Sequence, residues 1–259
     1  MDAVSDDVIV KSEAGFTTIT MNRPERRNAL SLELMRELTA GFQATGESDA
    51  RGVILAGNGP VFSAGHDFAD LAGADLDALQ ALLAACTELM TTMQSIPQPV
   101  VARVHGLATA AGCQLVATAD LAVAADSAAF AIPGGKGGWF CHTPLVAVAR
   151  NVGRKRALEL AMTGDTVDAA TASEWGLVNR VVPEPDLDEA TIELLRRATR
   201  GSATSKGLGK QAFYAQIELT QTDAYRYAMD VMARAGTSPD AQEGFAAFLE
   251  KRKPRFDRD

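Results

Sequence analysis

Apolar and polar positions alternate over Val8 to Val10. They do so again from Phe16 to Met21, with Phe16, Thr18 and Thr20 on one side and Ile19 and Met21 on the other. This period of two predicts a pair of strands around a turn at Glu13 to Gly15. Ser31 is placed to cap a helix whose Leu34, Leu38 and Phe42 share one face. The run RGVILAG has no alternation and predicts a short strand covered on both faces. The stretch NGPVFSAGHDF reads as a loop. A long helix is expected from about Leu76 to Ile96, because Leu79, Leu83, Cys86, Met90 and Met93 step by four and three; Pro97 and Pro99 end it. PVVARVHG and DLAVAA predict two further buried strands, with ATAAGCQLVATADL between them turning into a helix. After IPGGKGGWFCHTP the pattern is helical, punctuated by Gly153 and Gly164 and interrupted by one strand-like segment, LVNRVV. Ser238 followed by Pro239 predicts the start of a last helix. The reading is an α/β core over about residues 1–200 and a helical part over 201–259.

Composition narrows the partners. Hydrophobic residues make up 47% and charged residues 22%, as in a globular protein. A net charge of −8 argues against nucleic acid as a partner. No apolar run approaches the roughly 18 residues of a membrane span. Cys86, Cys113 and Cys141 are odd in number and widely spaced, so neither a disulfide framework nor a metal site is expected. The start MDAVSDDVIV lacks the basic and apolar segments of a secretory signal, and the first 20 residues lack the arginines of a transit peptide. Together these predict a cytoplasmic protein.

One stretch suggests chemistry. In ATAAGCQLVATADL, small residues lead into a helix, where first-turn amides point outward with partial positive charge and suit an anionic oxygen. The polar side chain of that first turn is Gln114, a neutral amide.

Five segments in order, ITMNRPERRNAL, VFSAGHDFADL, PVVARVHGLATAAGCQLVATADLAVAADSAAFAIP, LELAMTGDTVDAATASEWGLVNRVVP and DAQEGFAAFLEKRKPRF, resemble the enoyl-CoA hydratase/isomerase (crotonase) family over nearly the whole chain. The resemblance implies a spiral of strand-strand-helix repeats. It also implies a C-terminal helical region used to assemble a homotrimer or a dimer of trimers. It implies an acyl-CoA or enoyl-CoA thioester as substrate, with coenzyme A part of that substrate and no separate cofactor. The thioester oxygen would be held by the backbone N–H groups of His66 and Ala111, with Gly65 and Gly112 permitting close approach. One such donor is worth about 10²–10³ in rate, or roughly 3–4 kcal/mol. Arg26, Ala29, Ala64, Asp67 and Phe68 would line the coenzyme A path together with His66, and Lys251 or Lys253 would reach a phosphate, unless these lysines only form a solvated basic end.

The family's hydratases use two glutamates. Here Gln114 and Gly134 stand at those positions, and neither exchanges a proton near neutral pH. Each lost acid–base group costs about 10²–10⁴ in rate. The combination GLATAAGCQLV, FAIPGG and GWFCHTP most resembles the subgroup called enoyl-CoA hydratase domain-containing proteins, which shares these departures. WFCHTP brings Trp139, Cys141 and His142 to the expected acyl pocket, with His142 a candidate base. His105 reads as structural and Asp120 as tying down a turn. Two other readings stay open: an acyl-CoA binding protein that turns nothing over, and a thioester hydrolase using His142 or Cys141.

Overall fold

The computed structural model describes residues 7–256. Residues 1–6, on which part of the reading of the N-terminus rests, and residues 257–259 lie outside that range. The first two strands, β1 (Val8–Glu13) and β2 (Phe16–Met21), form the expected hairpin, with Val8 opposite Met21 and Glu13 opposite Phe16. Gly15 takes the positive φ the turn requires, at 81°. The helix α1 (Leu32–Gly46) begins where Ser31 accepts from the Leu34 amide, and it buries Leu34, Leu38 and Phe42.

Three strand-strand-helix units follow: β3 (Gly52–Gly57), β4 (Val61–Ser63) and α2 (Leu76–Ser95); β5 (Val100–Val104), β6 (Leu107–Thr109) and α3 (Ala111–Thr118); β7 (Leu121–Ala125), β8 (Ala129–Ala131) and α4 (His142–Val152). In each unit the longer strand joins one sheet and the three-residue strand joins another. The first sheet has the order β1-β2-β3-β5-β7-β10 and the second β4-β6-β8-β9, where β9 is Val167–Asp168 and β10 is Arg180–Val182. All neighbours are parallel except β1 with β2 and β8 with β9. The segment read as a loop, NGPVFSAGHDF, thus contains β4. Three-residue strands are too short to show a period.

The unbroken apolar run of β3 has two burial faces behind it. Val53 and Leu55 enter the main core, while Ile54 and Ala56 meet Leu187 and Leu195 of α7 (Leu187–Ala198) on the other side of the sheet. Along α2 the fully buried stripe is Leu82, Cys86, Leu89 and Met93, with Leu79 and Leu83 only half-buried. The chain continues through α5 (Arg154–Thr163) and α6 (Ala169–Trp175), where Gly153 and Gly164 end α4 and α5 as expected.

The C-terminal helices are α8 (Ala203–Gln216), α9 (Gln221–Gly236) and α10 (Pro239–Leu249). Asp120 holds α8 to the sheet: it accepts from the Val100 amide at 2.7 Å and Tyr214 Oη at 2.8 Å, and pairs with Lys210 Nζ at 2.7 Å. Lys210 also donates to the carbonyls of Met93 and Gln98, so a nearly buried ammonium has all three protons placed. No side chain of α9 is buried, and Ala247 is the one buried residue of α10.

Candidate active site

The loop after β4 is built by polar residues. Asn28 is fully buried, and its side-chain amide donates to the carbonyls of Asn58, Val61 and Phe62, while its Oδ1 accepts from the Arg23 amide. Ser63 Oγ donates to the Asn28 carbonyl at 2.8 Å. Asp67 is 5% exposed and is held by Arg26 Nη2 at 2.9 Å and by Arg23 Nη2 at 3.5 Å. Burial opposes ionisation of Asp67, but the Ala69 amide and the Arg26 and Arg23 guanidiniums prevail and hold its carboxyl below the usual range.

This loop meets α3 at close quarters. Gly65 has φ 85°, and a Cβ there would lie 2.9 Å from Ala110 Cβ and 3.2 Å from the Ala111 nitrogen. A Cβ on Gly112 would fall onto the Ser63 carbonyl oxygen. Ala110, just before α3, sits at φ 50° and ψ −117°. That region is sparsely populated for a residue with a side chain and costs on the order of 1–3 kcal/mol.

Two amides are left over here. His66 bridges Leu30 in parallel, but that bridge uses the Leu30 N–H to the Gly65 carbonyl and the Asp67 N–H to the Leu30 carbonyl. The His66 N–H stays outside the ladder. Ala111 is the first residue of α3, so its N–H has no acceptor within the helix.

Both residues line one cavity of about 500 Å³. Its wall is mostly apolar, from Phe68, Leu83, Trp139, Phe140 and Pro144. The half-burial of Leu83 on α2 has its cause here, because it faces the cavity. His66, Thr109, Lys136, Cys141, His142 and Thr143 supply the polar side chains, and no Asp or Glu lines it among the described residues.

The residues singled out from sequence divide. Ala64, His66, Phe68, Ala111, Gly134 and His142 share the cavity. Arg26, Ala29, Asp67 and Lys251 do not: Arg26 is engaged with Asp67, Ala29 is buried, and Lys251 lies beyond the end of α10. Gln114 is off the wall too, 5% exposed, with its Oε1 3.9 Å from Cys86 Sγ on α2. Gly134 has no space for a side chain, since a Cβ would fall onto the Trp139 carbonyl oxygen and within 2.6 Å of Cys141 Sγ. His105 Nε2 bonds the Gly59 carbonyl at 2.8 Å, away from the cavity. Cys141 is buried and its thiol is pushed up by that burial, which disfavours the thiolate. His142 is exposed at the start of α4, its ring tilted against that of Phe140 with centroids 5.1 Å apart. The sequence pattern did not point to Thr109, Leu83 or Phe140. Their role follows from β6, α2 and the turn before α4 meeting at one place, which no local signal carries.

A two-sheet spiral of strand-strand-helix repeats, closing on one cavity at the start of a central helix, defines the crotonase fold. The chain belongs to the enoyl-CoA hydratase/isomerase family, whose sequence profile matches residues 11–259. It is 42% identical over 246 residues to the enoyl-CoA hydratase domain-containing protein 3 of Rattus norvegicus, covering 94% of this chain and 82% of that protein. Among solved structures it is similar to an enoyl-CoA hydratase of Mycobacterium smegmatis, with TM-score 0.94 and 43% identity over 97% of this chain and 99% of that one. It is also similar to human enoyl-CoA hydratase domain-containing protein 3, with TM-score 0.93 and 40% identity over 96% of this chain and 100% of that one. These relatives correct one expectation. The cytoplasmic setting read from the N-terminus and the free cysteines is contradicted by the rat and human curated proteins, which are named mitochondrial. Free thiols and an acidic start are compatible with more than one reducing compartment, so they were too weak to choose.

Proposed function

We propose that the protein binds an acyl-CoA thioester, holds its carbonyl oxygen with the His66 and Ala111 amides, and stabilises the enolate formed from it. The observation that supports this reading is the pair of leftover N–H groups on two residues that line a single apolar cavity. Such donors act strongly where water is excluded, and they need no reorganisation as charge develops.

Hydration asks for more. One group must take a proton from water while another delivers one to the α-carbon. Among the described residues the cavity wall offers no carboxylate, Gln114 is turned into the α2–α3 packing, and Gly134 has no side chain. The reading is therefore thioester binding and enolate stabilisation with little hydratase activity. Hydrolysis through Cys141 is disfavoured by its raised pKa. Two imidazoles, His66 and His142, are left on the wall to move a proton.

The test is calorimetric titration with crotonyl-CoA alongside its hydration rate. Saturable binding is expected, with turnover reduced by about 10²–10⁴ for each missing glutamate relative to a two-glutamate relative. Hydration at that relative's rate, or no binding, would defeat the reading. We further propose that a homotrimer, or two stacked trimers, covers the exposed C-terminal helices, as the resemblance implies.

A further inference from the structure

The helix α3 presents Ala111 at the cavity, and its two ends are held in different ways. All eight of its residues are buried, so it is a rod of about 12 Å in close-packed surroundings that pass on any displacement. At the cavity end no side chain caps it; the Ala110 amide donates to the Ala131 carbonyl at 2.9 Å. The far end passes through Ala119 directly into Asp120. There the carboxylate meets Lys210 and Tyr214 of α8 and the first amide of β5, that of Val100.

Lys210 reaches further than this pair. Its ammonium also donates to the Met93 carbonyl in the last turn of α2, at 2.7 Å, and to the Gln98 carbonyl in the loop after it, at 2.8 Å. One nitrogen therefore sets the spacing between the far ends of α2 and α3, and both helices send residues to the cavity, Leu83 and Ala111. The Lys210 and Asp120 side chains are 8% and 16% exposed. A pair so deep gains little net stability over apolar packing, because both charges give up their water. What it supplies is direction, since each of its bonds is made at a fixed place.

We propose that Lys210 and Asp120 are positioning residues for the oxyanion site: by pinning the far ends of α2 and α3 to α8, they fix how the Ala111 N–H enters the cavity. This rests on the thioester-binding reading above. A backbone donor polarises a carbonyl in proportion to its alignment, so a small slip of α3 weakens the bond that Ala111 makes without emptying the site.

The experiment is infrared difference spectroscopy of the full-length protein saturated with butanoyl-CoA carrying carbon-13 at the thioester carbonyl. In the wild type that band is expected to move to lower wavenumber on binding. In Lys210→Met, which keeps the stem and removes the charge, about half or more of that movement should be lost. Tyr214→Phe should lose a smaller part, and it serves as the reading where Lys210→Met does not fold. Leu195→Ala, a cavity-forming change in the separate core under α7, should lower the melting temperature and leave the band where the wild type has it. A wild-type band position in Lys210→Met, or in Tyr214→Phe where that stands in, overturns the proposal and leaves the thioester reading intact. A band displaced as far by Leu195→Ala overturns it too, because loss of stability alone would then suffice. A wild-type band that does not move on binding takes down the oxyanion reading itself.

Discussion

Gly134 shows how one residue closes off a reaction. The sequence names a glycine where hydratases of the family carry a carboxylate, and the simplest repair would put glutamates back at 114 and 134. The backbone does not permit it. A Cβ at 134 has the Trp139 carbonyl and the Cys141 sulfur in its way, and Cys141 is itself packed in the core. Overpacking of this kind costs about 1–3 kcal/mol, more where backbone must shift. Gly134→Ala should therefore lower stability by about 2 kcal/mol in urea unfolding, and Gln114→Glu with Gly134→Glu should gain no crotonyl-CoA hydration in a spectrophotometric assay. Restored hydration would show that the turn yields easily. The identity of residue 134 could be read directly from the chain. The lack of room around it could not, because it depends on a carbonyl five residues on and a thiol seven residues on folding back over it.

At the scale of elements, the amide of His66 is only as well placed as the loop that carries it. That loop is fastened at Asp67 by Arg26 and Arg23 and at Ser63 by Asn28. A carboxyl depressed in the folded state gives stability that is complete above its unfolded pKa, about 3.9, and is lost as pH falls through the lower folded value. Asp67→Asn should be less stable than wild type at about pH 7, and its melting temperature should fall less between about pH 5 and pH 3. Parallel pH curves for the two proteins would show that Asp67 is not the fastening. The longer elements were legible here: the β1–β2 hairpin, α1 with its Ser31 cap, the buried run of β3 and the Ser238 start of α10 each have a local cause. The second sheet was not, since β4, β6 and β8 are three residues each and β9 two, and they exist only through pairing with one another. Asn28 gave no signal either, because its side-chain amide reaches carbonyls 30 to 34 positions away.

For the whole molecule, the unresolved demand is the apolar surface of the C-terminal helices. Met229, Met232, Phe245, Phe248 and Leu249 are all more exposed than buried, with Met232 at 79% and Phe248 at 83%. Side chains of this size gain about 1.5–3 kcal/mol each when fully covered. The helices behind them have almost no core of their own: α9 buries no side chain and α10 buries Ala247 alone. A second copy is the proposed cover. Light scattering after size exclusion should give the mass of three or six chains for the wild type. Met232→Glu combined with Phe248→Glu should dissociate it, because two unpaired carboxylates would have to be buried at each contact. A wild-type monomer at micromolar concentration would refute the assembly. A double variant that keeps the full mass would instead refute this face as the contact, placing it elsewhere on the molecule.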